Sequence, residues 1–145
     1  MDIRELRIGD YVKVDGEKDV LRVVSLNVGE CVLENGMRTV RVGAGMMDVV
    51  RKIGLDMDFF ERNGYELVRG DYETGKWNVV DYRREYGDVV FEFVGHGYNT
   101  EWELEGTLWV NKVWETRRGY PCSSVNDVWG KMVEYGVRDD DLVVR

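Results

Sequence analysis

The chain has 145 residues, with 20 Lys or Arg against 28 Asp or Glu, a formal charge of −8 and a pI near 4.8. Its 43% hydrophobic and 12% aromatic residues are enough to build a packed core, which excludes a disordered chain. Seventeen glycines against one proline point to short elements joined by glycine turns, the punctuation of a strand-rich fold.

The first residues, Met1-Asp-Ile-Arg-Glu-Leu-Arg7, are charged and contain no apolar leader core, and no stretch reaches 18 uninterrupted apolar residues. Neither a signal peptide nor a membrane span is expected, so the protein is placed in the cytoplasm. From Ile8 the pattern reads as short strands. Tyr11-Val-Lys-Val14 alternates, Asp15-Gly-Glu-Lys18 turns, and Val20-Leu-Arg-Val-Val-Ser-Leu26 follows. Cys31-Val-Leu33 and Met37-Arg-Thr-Val-Arg-Val42 flank Asn35-Gly36, a dipeptide that tolerates positive φ at both positions and so signals a hairpin. With a fifth strand over 46–53, residues 1–55 are expected to close as a small SH3-like barrel.

Asp56-Met-Asp-Phe-Phe-Glu-Arg-Asn-Gly64 predicts a short helix over 56–63, with Asp56 as its N-cap and Asn63-Gly64 as a left-handed stop. Tyr65 should fold back onto Phe59 or Phe60. Strands are then expected at 65–69, 76–83, 88–94 and 107–114, forming an antiparallel meander with a bulge at Val79-Val80. Ser124-Val-Asn-Asp127 has the form of a capping box. Val125, Val128, Trp129 and Met132 share one helical face, so a closing helix over 124–135 should bury them and turn Asn126, Lys131 and Glu134 to solvent. Gly136 should stop it, and 142–144 leave room for a final edge strand. The expected class is thus α+β and β-rich: an SH3-like barrel over 1–55, then an α+β meander over 56–145.

Charge is divided unevenly between these parts. Residues 1–55 carry nine basic and nine acidic side chains, whereas 56–145 carry 11 and 19, so the second part alone repels phosphate.

The Leu6-Arg-Ile-Gly-Asp-Tyr-Val12 strand, the small barrel, the helix and stop Phe59-Phe-Glu-Arg-Asn-Gly-Tyr65, the tryptophan-bearing meander and the closing helix together resemble small proteins of phages and mobile elements in anaerobic gut bacteria. Ser124-Val-Asn-Asp127 stands where members of that group often show His-x-Leu-Gln. The resemblance implies the two-part fold and carries no activity.

No catalytic set emerges from the residues. His96, the only histidine, lies between Gly95 and Gly97 and reads as a turn residue; a thiol triad of His96 and Cys122 with Asp81 or Asp88 lacks any signature around Cys122. Cys31 and Cys122, far apart and without CxxC spacing, read as reduced, partly buried thiols. Glu101, Glu103 and Glu105 share one face if they form a strand, and read as a solvated row that protects a sheet edge rather than a cation site. No metal or cofactor is expected. Of the five tryptophans, Trp77, Trp102, Trp109, Trp114 and Trp129, most are expected in the core, while Arg38, Arg41, Arg83, Arg84, Arg117 and Arg118 are too dispersed to form a basic stripe.

The sequence therefore points to a non-enzymatic protein-interaction module serving a phage or mobile element. Tyr98, Trp102, Arg38 and Arg41 are its candidate interaction surface. The alternatives are a nucleic-acid adapter acting through the barrel, an acidic decoy that occupies a host DNA-binding protein and, last, a hydrolase. Nucleic acid is disfavoured for 56–145, and a protein partner is expected.

Overall fold

A computed structural model describes residues 1–70, 78–97 and 104–144. The chain divides into two compact units, Met1–Ile53 and Gly54–Val144, each strand-rich and built on one five-stranded antiparallel sheet. The class is α+β, with two short α-helices among the described residues, both in the second unit.

In the first unit, β1 (Tyr11–Val14), β2 (Leu21–Leu26), β3 (Glu30–Glu34), β4 (Thr39–Gly43) and β5 (Val50–Lys52) are ordered β4-β3-β2-β1-β5. Alternation sets the burial. Val12 and Val14, Leu21 and Val23, and Cys31 and Leu33 face one core, while the residues between them are at least partly exposed. The barrel closure expected from the sequence is not made, because β4 and β5 remain the two edges of an open sheet. The fifth strand is also shorter than 46–53. Ala44–Val49 winds into a 3-10 turn that buries Met47 against the Cys31 thiol, and only Val50–Lys52 pairs with β1. Ala44-Gly-Met-Met-Asp48 lacks the alternation and β-branching that would hold it extended.

The second unit runs through α1 (Met57–Arg62), β6 (Glu66–Gly70), β7 (Asn78–Tyr86), β8 (Val89–Gly97), β9 (Glu105–Lys112), β10 (Arg118–Cys122) and α2 (Val125–Glu134). The sheet is a meander, ordered β10-β9-β8-β7-β6. Asp56 caps α1 by accepting a 2.7 Å hydrogen bond from the Phe59 amide, and Gly64 ends it at φ +82°. Phe60 then sits wholly buried among four rings, Phe59, Tyr65, Tyr82 and Phe93, with centroids 4.6–5.2 Å away. Tyr65 folds back as expected. Ser124 and Asp127 form the capping box of α2, and Val125, Val128, Trp129 and Met132 are buried. Glu134 is exposed, whereas Asn126 and Lys131 are half-buried.

Four expectations require correction. The bulge lies at Val68 of β6, opposite Tyr82 and Asp81, and β7 pairs with β8 without interruption from Asn78 to Tyr86. That unbroken ladder carries β8 past Val94, so His96 is a strand residue between Val79 and Glu105 rather than a turn residue. β9 stops at Lys112, two residues short of Trp114, and a further strand, β10, follows it. Gly119 and Pro121 disguise β10 in the sequence, yet both are tolerated because β10 is an edge strand. Finally, 142–144 form no strand. The Asn63 carboxamide accepts from the backbone N–H of Val143 at 2.9 Å and donates to its carbonyl at 3.0 Å, supplying the bonds that a ladder would otherwise provide.

Candidate functional site

The second sheet has a core face and an outer face, and strict alternation sorts its side chains between them. Along β7, Val80 and Tyr82 are buried, while Asp81, Arg83 and Glu85 point the other way. Along β8 and β9, Phe91, Phe93, Leu108 and Val110 face the core, leaving Val90, Glu92, Trp109 and Asn111 on the outer face. Register then assembles them. Arg83 lies opposite Glu92, Glu92 opposite Trp109, Trp109 opposite Gly119, and one step along, Val90 lies opposite Asn111. Together with Arg117 from the β9–β10 connection they line an open cleft of about 290 Å³.

Its best-fixed member is Arg117. The guanidinium lies 4.3 Å from the Trp109 ring centroid and donates a 2.7 Å hydrogen bond to Glu92 Oε1. Stacking and a charge-assisted bond thus restrain it on two sides. The half-buried Trp109 ring rests in turn on Gly119. A Cβ there would lie 2.7 and 2.9 Å from ring carbons of Trp109 and 3.0 Å from Thr107 Cγ2, closer than side chains approach one another. Gly119→Ala is therefore expected to cost about 1–3 kcal/mol and to lift the ring away from Arg117. Thermal unfolding and the Trp109 indole N–H resonance test this; unchanged stability with an unmoved resonance would place the ring elsewhere.

Asp81 and Glu92 add a second feature to this face. Burial, reinforced by a hydrogen bond to Glu92 and by its charge, pushes the Asp81 carboxyl above the usual range against the opposing pull of Arg69 and Arg117. Asp81 Oδ1 is buried without a hydrogen-bond partner. Asp81 thus holds its proton more tightly than a solvated aspartate.

Tyr98 and Trp102 lie outside the described residues, as do Trp77, Glu101 and Glu103. Arg38 and Arg41 belong to the first unit, where each pairs with a carboxylate at 2.7 Å, Glu17 and Glu30 respectively. The first unit also bears an apolar groove of about 590 Å³ along Ile3, Leu6, Leu26 and Val28, and its one cation, Arg4, is held at two points by Asp2.

His96 and Cys122 do not meet. His96 is exposed on the outer face, whereas Cys122 is buried and pairs with Gly106. Burial raises the Cys122 thiol to about 12, far from the thiolate a nucleophile needs. Among the described residues, no three His, Cys, Asp or Glu side chains come together to hold a metal ion, and no helix is long and apolar enough to cross a membrane. No protein-family model, no curated protein and no solved structure matches the chain. The functional reading therefore rests on the geometry of the second unit.

The described tryptophans differ in burial. Of the three described, only Trp129 is in the core; Trp109 is half-buried and Trp114 is 99% exposed. One sequence signal bears on this. Trp114 is followed by Glu115-Thr-Arg-Arg118, a polar run that reads as a connection and would leave Trp114 at its start.

Proposed function

We propose that this protein is a non-enzymatic protein-interaction module that engages its partner through the β9–β10 hairpin. One observation carries the reading: Trp114 stands at the hairpin tip, 99% exposed, with φ +68°. A bulky side chain in the left-handed region costs about 1–2 kcal/mol, and a fully solvated indole returns nothing to the fold. Strain combined with exposure is characteristic of a residue kept for binding, and tryptophan is enriched among the anchors that dominate interface energetics. Val113 beside it, 52% exposed, extends the apolar tip.

The first unit supports the same class of function. Its strand order, with a 3-10 turn between β4 and β5, favours an SH3-like reading, and small sheets of that kind often serve as binding scaffolds. A phage or mobile-element setting, drawn from the sequence resemblance, and the cytoplasmic placement expected from the sequence belong to the same proposal.

Two measurements test the tip. Trp114→Asn, which suits the left-handed backbone, is expected to leave the fold unharmed or to stabilise it by up to about 1 kcal/mol in urea unfolding. Affinity capture from lysate should then yield a partner with the wild-type chain and with Arg38→Gln, but not with Trp114→Ala. Loss of stability in Trp114→Asn, or the same capture with all three proteins, would overturn the reading.

A further inference from the structure

We infer that the cleft beside this hairpin receives an acidic side chain, aspartate or glutamate, from the protein partner. The inference names the partner's chemistry at the surface already proposed and rests on that proposal. Three observations carry it.

The first is the pair of cationic walls. Arg83 on β7 and Arg117 beyond β9 flank the floor formed by Val90 and Glu92 of β8, and two strand spacings separate β7 from β9 by roughly 10 Å. That gap lets two long arginine side chains converge on one small anion. The second is unused donor capacity. A guanidinium has five N–H donors; Arg117 gives one bond to Glu92, and Arg83 gives one, at 3.0 Å, to Glu85. The Arg83–Glu85 pair is a surface contact, 49% and 71% exposed, of the kind that contributes little and exchanges readily. Asn111 is also exposed at the rim of the cleft.

The third observation is charge and shape. Within this patch three carboxyl groups, Asp81, Glu85 and Glu92, meet three guanidiniums, Arg69, Arg83 and Arg117. Acidic and basic side chains are thus matched here, within a part of the chain whose balance is strongly acidic. A planar, singly charged carboxylate matches a stacked guanidinium fork, whereas a dianionic phosphate would meet stronger repulsion from Glu92. The stack on Trp109 also fixes the Arg117 fork before binding, which reduces the ordering cost of recognition.

The test uses the full chain with blocked peptides as probes. Ac-Gly-Glu-Gly-amide is titrated while the Trp109 indole N–H and the Arg117 side-chain N–H resonances are followed, with Ac-Gly-Gln-Gly-amide, glutarate and inorganic phosphate in parallel. The expected result is a saturable shift of both resonances with the Glu peptide and none with the Gln peptide. Arg83→Gln should weaken it at least about tenfold. Arg117→Lys, which keeps the charge but loses the fork, should weaken it as well. Because a change at Arg117 also disturbs the stack on Trp109, Arg83→Gln is the deciding variant. Trp114→Ala should keep the peptide shift while losing partner capture, so failure of the hairpin reading and failure of this one are separable. Equal shifts from the Gln peptide, no shift from the Glu peptide, an unchanged titration in Arg83→Gln, or tighter binding of glutarate or phosphate than of the Glu peptide would each overturn the inference.

Discussion

Phe60→Ala is expected to remove about 3–5 kcal/mol of folding free energy, enough to unfold much of the population if the total lies in the usual range of about 5–15 kcal/mol. Phe60 is wholly buried, stacked on Tyr82 at 4.9 Å and on Phe93 at 4.6 Å, and met edge-on by Phe59 and Tyr65. It thereby joins α1, the chain reversal after it and two central strands of the sheet. Truncation removes the ring's transfer free energy, leaves a cavity among rigid neighbours that collapse poorly, and forfeits ring contacts worth about 0.5–1.5 kcal/mol each. Urea unfolding measures the loss. A cost below about 1 kcal/mol would mean that the four rings do not enclose Phe60.

That cluster illustrates what a single sequence can disclose. The start and stop of α1 were readable because they are local: Asp56 caps within one turn, and Asn63-Gly64 offers the left-handed exit. The face of α2 was readable for the same reason, since Val125, Val128, Trp129 and Met132 keep helical spacing whatever they pack against. The first four strands followed from alternation and turn chemistry.

The candidate site was not readable, and register explains why. Arg83, Glu92, Trp109 and Arg117 are spread over 35 positions, and nothing local links them; strand pairing places them on one rung or beside it. Arg83 and Arg117 are dispersed along the chain and line one cleft only across the sheet. The partners of Arg38 and Arg41 were equally hidden, because the carboxylates that pair with them lie 21 and 11 residues away. Tail anchoring was hidden in the same way. Nothing local reveals that Asn63 bonds Val143, 80 residues later, so a run of Leu and Val near the end looked like a strand.

Trp129→Ala is expected to cost about 3–5 kcal/mol, and the companion change Trp129→Phe separates the two reasons for it. Trp129 is 4% exposed on the apolar stripe of α2, a ten-residue helix too short to persist in water unless that stripe is packed. Its Nε1–H also donates a 2.9 Å hydrogen bond to Asp139 Oδ1, tying the helix to the 3-10 turn Asp139–Asp141 that follows it. Phenylalanine keeps most of the buried area and loses the bond, so Trp129→Phe should cost only about 1–2 kcal/mol. The two variants differ in where the damage falls. Trp129→Ala should lower the whole unfolding transition, whereas Trp129→Phe should mainly loosen residues 138–144, seen as faster amide exchange and earlier proteolysis there. Equal costs for both variants would show that the indole N–H, rather than ring burial, holds the helix in place.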